Sequence, residues 1–111
     1  MGEFSESVTR MRRLTRCVFG QIAPGEVSTA LYVVGRESGF RSHAYNPSGC
    51  AGLMQHMLPY WPGRVALVDR PWFRRWFNRG WGDVYDPMMN LLVGAIMVRD
   101  GGWGPWSVES A

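Results

Sequence analysis

Glu37 stands in the run Arg36-Glu37-Ser38-Gly39-Phe40, and fifteen residues further on the chain reads Gly52-Leu53-Met54-Gln55. A carboxyl can give or take a proton, and a glycine-flanked loop ending in an amide offers a ligand both a donor and an acceptor. Counting back from Glu37, Val34, Val33 and Ala30 fall at −3, −4 and −7, on one face of a helix. If that face packs into a core, Glu37 is carried to the core's edge at the helix C-terminus. Desolvation and the negative helix end would both disfavour the ionised form there. A carboxyl that keeps its proton near neutral pH is what a general acid requires. The plainer alternative is a solvated glutamate in the last turn of a surface helix.

The elements that would hold this pair are read from periodicity and from breakers. Residues 5–22 carry Val8, Met11, Thr15, Val18 and Ile22 at helical spacing, with Arg10, Arg12, Arg13 and Arg16 around them. Those arginines are either a solvated face or a contact for an acidic polymer. Pro24-Gly25 ends this helix and starts the one that bears Glu37. Between Arg41 and Gly49 the chain is loop-like, with Asn46-Pro47-Ser48-Gly49 as turn chemistry; no strand is expected beyond a hairpin within 41–56. Gln55 either satisfies the backbone of its own loop or holds a sugar amide or hydroxyl.

Trp72, Phe73, Trp76 and Phe77, opposite Arg74, Arg75 and Arg79, predict a short amphipathic helix whose aromatics pack inward. The same residues would also serve a sugar, nucleic-acid or membrane surface. Asp86-Pro87 is a capping carboxylate followed by proline at a first helical position, and Met88, Leu91, Leu92, Ala95 and Ile96 form a wide apolar stripe behind it. That predicts a central buried helix ended by Gly101-Gly102. Trp103 and Trp106 in the tail are either lids over the core or part of a carbohydrate cleft.

At 111 residues the chain is expected to form one domain with its own core. Its net charge is +3, with all twelve basic residues arginine, which suits an anionic partner without choosing among nucleic acid, membrane and wall. Cys17 and Cys50 match no metal-binding spacing and, with only His43 and His56 beside them, no metal site and no cofactor are expected. Buried free thiols are the default for the two cysteines, with a disulfide open to a protein working outside the cell. No secretory signal and no membrane span are read, so the chain is expected to leave the cell by another route or to be a domain of a longer protein. The opening Met-Gly-Glu-Phe is compatible with a cloning remnant.

ESGFRSHAYNPSGCAGLMQ, Glu37 to Gln55, resembles the signature of the soluble lytic transglycosylase (SLT) domain family, which opens on Glu-Ser and closes on Gly-Leu-Met-Gln. YDPMMNLLVGAIMVR, Tyr85 to Arg99, resembles that family's later helix, with its Asp-Pro start and an Asn four positions after the Asp. The resemblance covers roughly residues 24 to 106. It implies a mainly α, lysozyme-like (goose-type) helical domain with a small loop or hairpin region. Residues 1–23 would be an N-terminal helix or extension, and 24–111 the catalytic part.

The resemblance further implies cleavage of peptidoglycan between N-acetylmuramic acid and N-acetylglucosamine, leaving 1,6-anhydro ends. Glu37 would be the acid and then the base, Ser38 its support, and Met54 and Gln55 the lining of a sugar subsite. The chain departs from the family pattern in two places. His56-Met57-Leu58-Pro59 inserts a leucine into a Met-Pro pair, and Gly-Gly-Trp-Gly-Pro-Trp replaces an Ala-Tyr-Asn segment whose tyrosine faces the glutamate. Tyr45, Tyr85, Trp103 and Trp106 are the residues that could take that tyrosine's place.

Two-carboxylate glycosidases need a second acid at a set distance from the first. Asp86 is better placed as a helix cap, and Asp69, Asp83 and Asp100 have no spacing that ties them to Glu37. One carboxylate, with the substrate's own N-acetyl group stabilising the cation, fits better. Alternatives are a muramidase on the same fold, an inactive wall-glycan binding module, and an Arg/Trp-rich nucleic-acid binder, which the ordered Glu37 and Gln55 motifs argue against. The expected partner is the peptidoglycan strand and no nucleic acid. The chain is expected to be a monomer, or a part of a larger multidomain protein. Its place is the bacterial wall, as a phage lysis or virion protein, or as a secreted or periplasmic domain of a longer chain.

Overall fold

The computed structural model describes residues 6–107. Among the described residues five α-helices, one small sheet and three short 3-10 turns follow one another. Helix α1 spans Glu6–Ile22, α2 Val27–Ser38, α3 Trp61–Ala66, α4 Pro71–Arg74 and α5 Pro87–Gly101. Ser5, with which the predicted first helix begins, lies outside the described residues, as do residues 1–5 of the predicted segment 1–23 and 108–111 of the predicted segment 24–111.

Helix α5 is the axis of the molecule. Every residue from Met89 to Ile96 is buried, and so is Val98. Asp86 starts it by accepting a hydrogen bond from the Met89 amide at 2.9 Å, and Gly102, at φ 84°, ends it. An all-round apolar helix needs partners on all sides, and it has two sets. On one side Leu91, Ala95 and Val98 pack with Phe19 of α1, Val33 and Val34 of α2, and Met54, Trp103 and Trp106. On the other, Met89, Leu92, Val93 and Ile96 pack with Trp61, Val68, Phe73 and Val84. Helix α1 therefore shares the core with α2 and α5, and its fully buried Phe19 contributes about 1.5–3 kcal/mol by leaving water.

The loop region carries more sheet than a hairpin. Strands β1 (Tyr45–Asn46), β2 (Cys50–Ala51) and β3 (His56–Met57) pair antiparallel in sequence order. In register, Tyr45 faces Ala51, and Ala51 faces His56. The third strand has no alternating pattern in the sequence because it is only two residues long.

The Trp72–Arg79 segment differs from the amphipathic helix its spacing predicts. Helix α4 is one turn, and the chain then passes through three-residue turns in which the Trp76 and Phe77 amides bond the Phe73 and Arg74 carbonyls. Arg74, the last residue of α4, pairs with Asp69 at 2.8 Å and lies 4.6 Å from the Trp81 ring centroid. Of the four aromatics only Phe73 is buried; Trp76 and Phe77 are half-buried and Trp72 is exposed. The cysteines also differ from the expected buried thiols. Both are free, Cys17 exposed and Cys50 half-buried.

Candidate active site

Helix α2 delivers Glu37 as expected from its spacing. Ala30, Val33 and Val34 are fully buried, and Glu37 sits in the last turn with 27 % of its side chain exposed. Gly39, at φ 61°, stops the helix, its amide bonding the Gly35 carbonyl. The chain can therefore turn away one residue past Ser38, which leaves the carboxylate at the rim.

Glu37 is not alone there. Arg36 donates to its Oε2 from Nε at 3.1 Å and from Nη2 at 2.8 Å. The same Nη2 donates to the main-chain carbonyl of Trp106, and the guanidinium lies 5.7 Å from the Tyr32 ring centroid. The hydrogen bond to Glu37 is the main cause that holds the Arg36 guanidinium above its ordinary range, so it stays fully charged. The sequence reading gave Arg36 no part; its neighbour in the chain was visible, but the carbonyl seventy residues away was not.

The loop beside this centre is fastened to α5 by one side chain. The Oδ1 of Asn90 accepts the Met54 amide at 2.8 Å, and its Nδ2 donates to the carbonyls of Val84 at 2.8 Å and Ala51 at 3.3 Å. Asn90 is wholly buried, so these bonds replace water it cannot reach. Gly52, at φ 81°, lies against it, and a Cβ there would overlap the Asn90 amide and come within 2.6 Å of the Val84 carbonyl. Only glycine meets both demands. At 94 glycine serves space instead, since a Cβ would overlap the Met54 sulfur.

Below the loop His56 is buried and neutral. Burial is the largest reason why its pKa falls to about 3, and the nearby Arg64 charge lowers it further; the hydrogen bond to the Asn90 carbonyl only partly offsets them. Its Nε2 lies 3.0 Å from that carbonyl, which assigns the proton to Nε2, and Nδ1 then accepts from Arg64 at 3.0 Å.

The residues singled out from sequence fall into two groups. Glu37, Gln55, Tyr45 and Tyr85 keep exposed or half-exposed side chains, whereas Ser38, Met54 and Trp103 are buried. The Ser38 hydroxyl turns back to the Val34 carbonyl at 3.1 Å. Met54 lies in the core, its amide on Asn90 and its carbonyl on the Trp106 indole. Trp103 stacks on Phe19 at 5.7 Å and donates to Glu26 at 2.7 Å.

Gln55 sits in the left-handed region at φ 53°, with Nε2 donating to the carbonyls of Ala44 at 3.1 Å and Gly52 at 3.0 Å. It thus satisfies its own loop, and its Oε1 accepts nothing from the described residues. Tyr85 stacks on His43 with ring centroids 5.8 Å apart. Trp106 gathers the helix end and the loop: its carbonyl accepts from Arg36 and its indole N–H donates to the Met54 carbonyl.

Other described carboxylates have local tasks. Asp86 caps α5, Asp83 accepts the Tyr85 amide at 2.9 Å, Glu26 takes Trp103, and Asp69, Asp100 and Glu6 pair with arginines at 2.8–3.2 Å. Among the described residues no group of three or more His, Cys, Asp or Glu is placed to hold a metal, and no helix is long and apolar enough to cross a membrane.

No curated protein and no solved structure matches the chain. The family model described as the transglycosylase SLT domain matches residues 21–100, from the end of α1 to the end of α5, and so includes Glu37, the Gly52–Gln55 loop and Asn90. A mainly helical chain with a small sheet and that match over most of its length belongs to the transglycosylase SLT domain family, within the lysozyme-like superfamily.

Proposed function

We propose that the protein is a peptidoglycan lytic transglycosylase in which Glu37 is both acid and base. The SLT family acts on peptidoglycan. The observation that carries the finer reading is the placement of Glu37: a partly exposed carboxylate at the end of a buried helix, tied through Arg36 and Trp106 to the Met54–Gln55 loop. The local engagement of the other described carboxylates supports a reaction with one of them.

In that reaction the Glu37 proton passes to the glycosidic oxygen as its bond to C1 breaks, and the bonding electrons leave with the oxygen. The substrate's N-acetyl group stabilises the cation at C1. The C6 hydroxyl then attacks C1 and gives its proton to the Glu37 carboxylate, which restores the acid. Gln55, with Oε1 open to an N–H or hydroxyl, and Tyr45 and Tyr85, with exposed ring surface, are the residues for holding sugar. Met54, Trp103 and Ser38 act from behind, by fixing loop, tail and helix end. The workplace is the bacterial wall.

Mass spectrometry of soluble muropeptides released from purified peptidoglycan, wild type beside Glu37→Gln, tests the reading. Anhydromuramic ends that disappear in the variant are expected. Reducing muramic ends would make the protein a hydrolase, and absence of any release would leave a wall-binding module.

A further inference from the structure

An acid that becomes a base within one turnover must keep its carboxyl in one orientation throughout. Ser38, the residue next in sequence, does not provide this, because its hydroxyl is spent on Val34. Arg36 does. Side chains one residue apart on a helix point in different directions and do not normally meet. Here they do, because a contact from outside the helix turns Arg36: the Trp106 carbonyl receives its Nη2, while Tyr32, one turn back on α2 itself, lies beside the guanidinium. Both donor nitrogens reach Oε2 of Glu37, and nothing among the described residues donates to Oε1. One oxygen is thereby clamped and the other is left open among the described residues.

We infer that Arg36 is the positioning residue for the Glu37 acid/base, and that the closing turn Gly104–Trp106 sets it through a main-chain carbonyl. The inference rests on the reading of Glu37 given above. Once the proton has left for the glycosidic oxygen, the negative charge stays on Glu37 until the C6 hydroxyl proton arrives. The guanidinium neutralises that charge in the interval and keeps Oε1 aimed at the sugar. In this chain the turn does from the backbone what a side chain would otherwise do, which gives the Gly-Gly-Trp-Gly-Pro-Trp ending a role beyond covering the core.

The experiment is steady-state kinetics on soluble uncross-linked glycan strands for wild type, Arg36→Met, Arg36→Lys and Glu37→Gln, with product ends read by mass spectrometry and melting followed for each. Arg36→Met should lower kcat about tenfold or more with KM within about twofold, since the contact matters as charge develops rather than on binding. Arg36→Lys should recover part of that loss, as a point charge without the fork. Both should melt within a few degrees of wild type. Should Arg36→Met fail to fold, Arg36→Gln carries the same expectation.

Wild-type turnover in Arg36→Met, a loss confined to KM, or losses in all Arg36 variants that follow their melting temperatures would each overturn the role while leaving Glu37 in place. Wild type that releases no glycan ends, or Glu37→Gln with unchanged turnover, would overturn the acid/base reading and this role with it.

Discussion

The indole N–H of Trp106 donates to the carbonyl of Met54 at 2.7 Å, joining the last described turn to the loop that precedes Gln55. Both groups are buried, so the bond has no water to replace it. Trp106→Phe keeps a ring but removes the donor and orphans the carbonyl. A loss of about 1–3 kcal/mol in urea denaturation is expected. The main-chain carbonyl used by Arg36 survives this change, so the chemical identity of the product ends should not change.

Asn90 holds three main-chain groups from two segments. Asn90→Ala strands all three, and about 3 kcal/mol or more should be lost, against no more than about 0.5 kcal/mol for an exposed asparagine such as Asn78. Chemical denaturation of the two variants side by side measures the difference.

Gly94 and Met54 interlock, the glycine giving the room that the thioether fills. Gly94→Ala should cost about 1–3 kcal/mol by overpacking, and Met54→Ala about 2–5 kcal/mol by leaving a cavity. The double variant should be less destabilised than the sum, because the new methyl enters the space vacated. A double-mutant cycle with coupling under about 0.5 kcal/mol would contradict the contact.

His56 makes stability fall in acid. Its folded pKa, about 3, lies below the ordinary value of 6.5, so between those limits the unfolded chain binds more protons than the folded one. The contribution is therefore whole above about pH 6.5 and declines by up to about 1.4 kcal/mol per pH unit as the pH drops towards 3. Urea denaturation at pH 7, 6, 5 and 4 should give a shallower decline in His56→Gln, whose amide can still donate to the Asn90 carbonyl.

What the sequence made legible follows from the range of the forces involved. Helices α1 and α2 could be read because burial repeats along them at the helical period, and α5 because Asp86-Pro87 is a start signal complete within two residues and a long apolar run follows it. The place of Glu37 came with α2. The single turn of α4 could not be read: Trp72, Phe73, Trp76 and Phe77 have helical spacing, yet after Arg74 the amides of Trp76 and Phe77 bond three residues back.

The same limit hid the fastening of the site. Asn90 was visible as part of a motif, but its task depends on where Ala51, Met54 and Val84 come to lie. Arg36 stood next to the glutamate throughout, and only the path of the chain at Trp106 aims it. Met54, which the resemblance makes a sugar-lining residue, and Trp103, a lid over the core or part of a carbohydrate cleft by its sequence, are both core residues by placement.

Strands of two residues cannot hold a sheet together by themselves. The β1–β3 region thus borrows its persistence from α5, by way of Asn90. In hydrogen exchange the Met54 amide, whose proton rests on Asn90 Oδ1, should behave as though it belonged to that helix, opening only when the helix does. The loop that ends in Gln55 and the most buried segment of the molecule should then open as one cooperative unit, which would make that loop as durable as the fold itself.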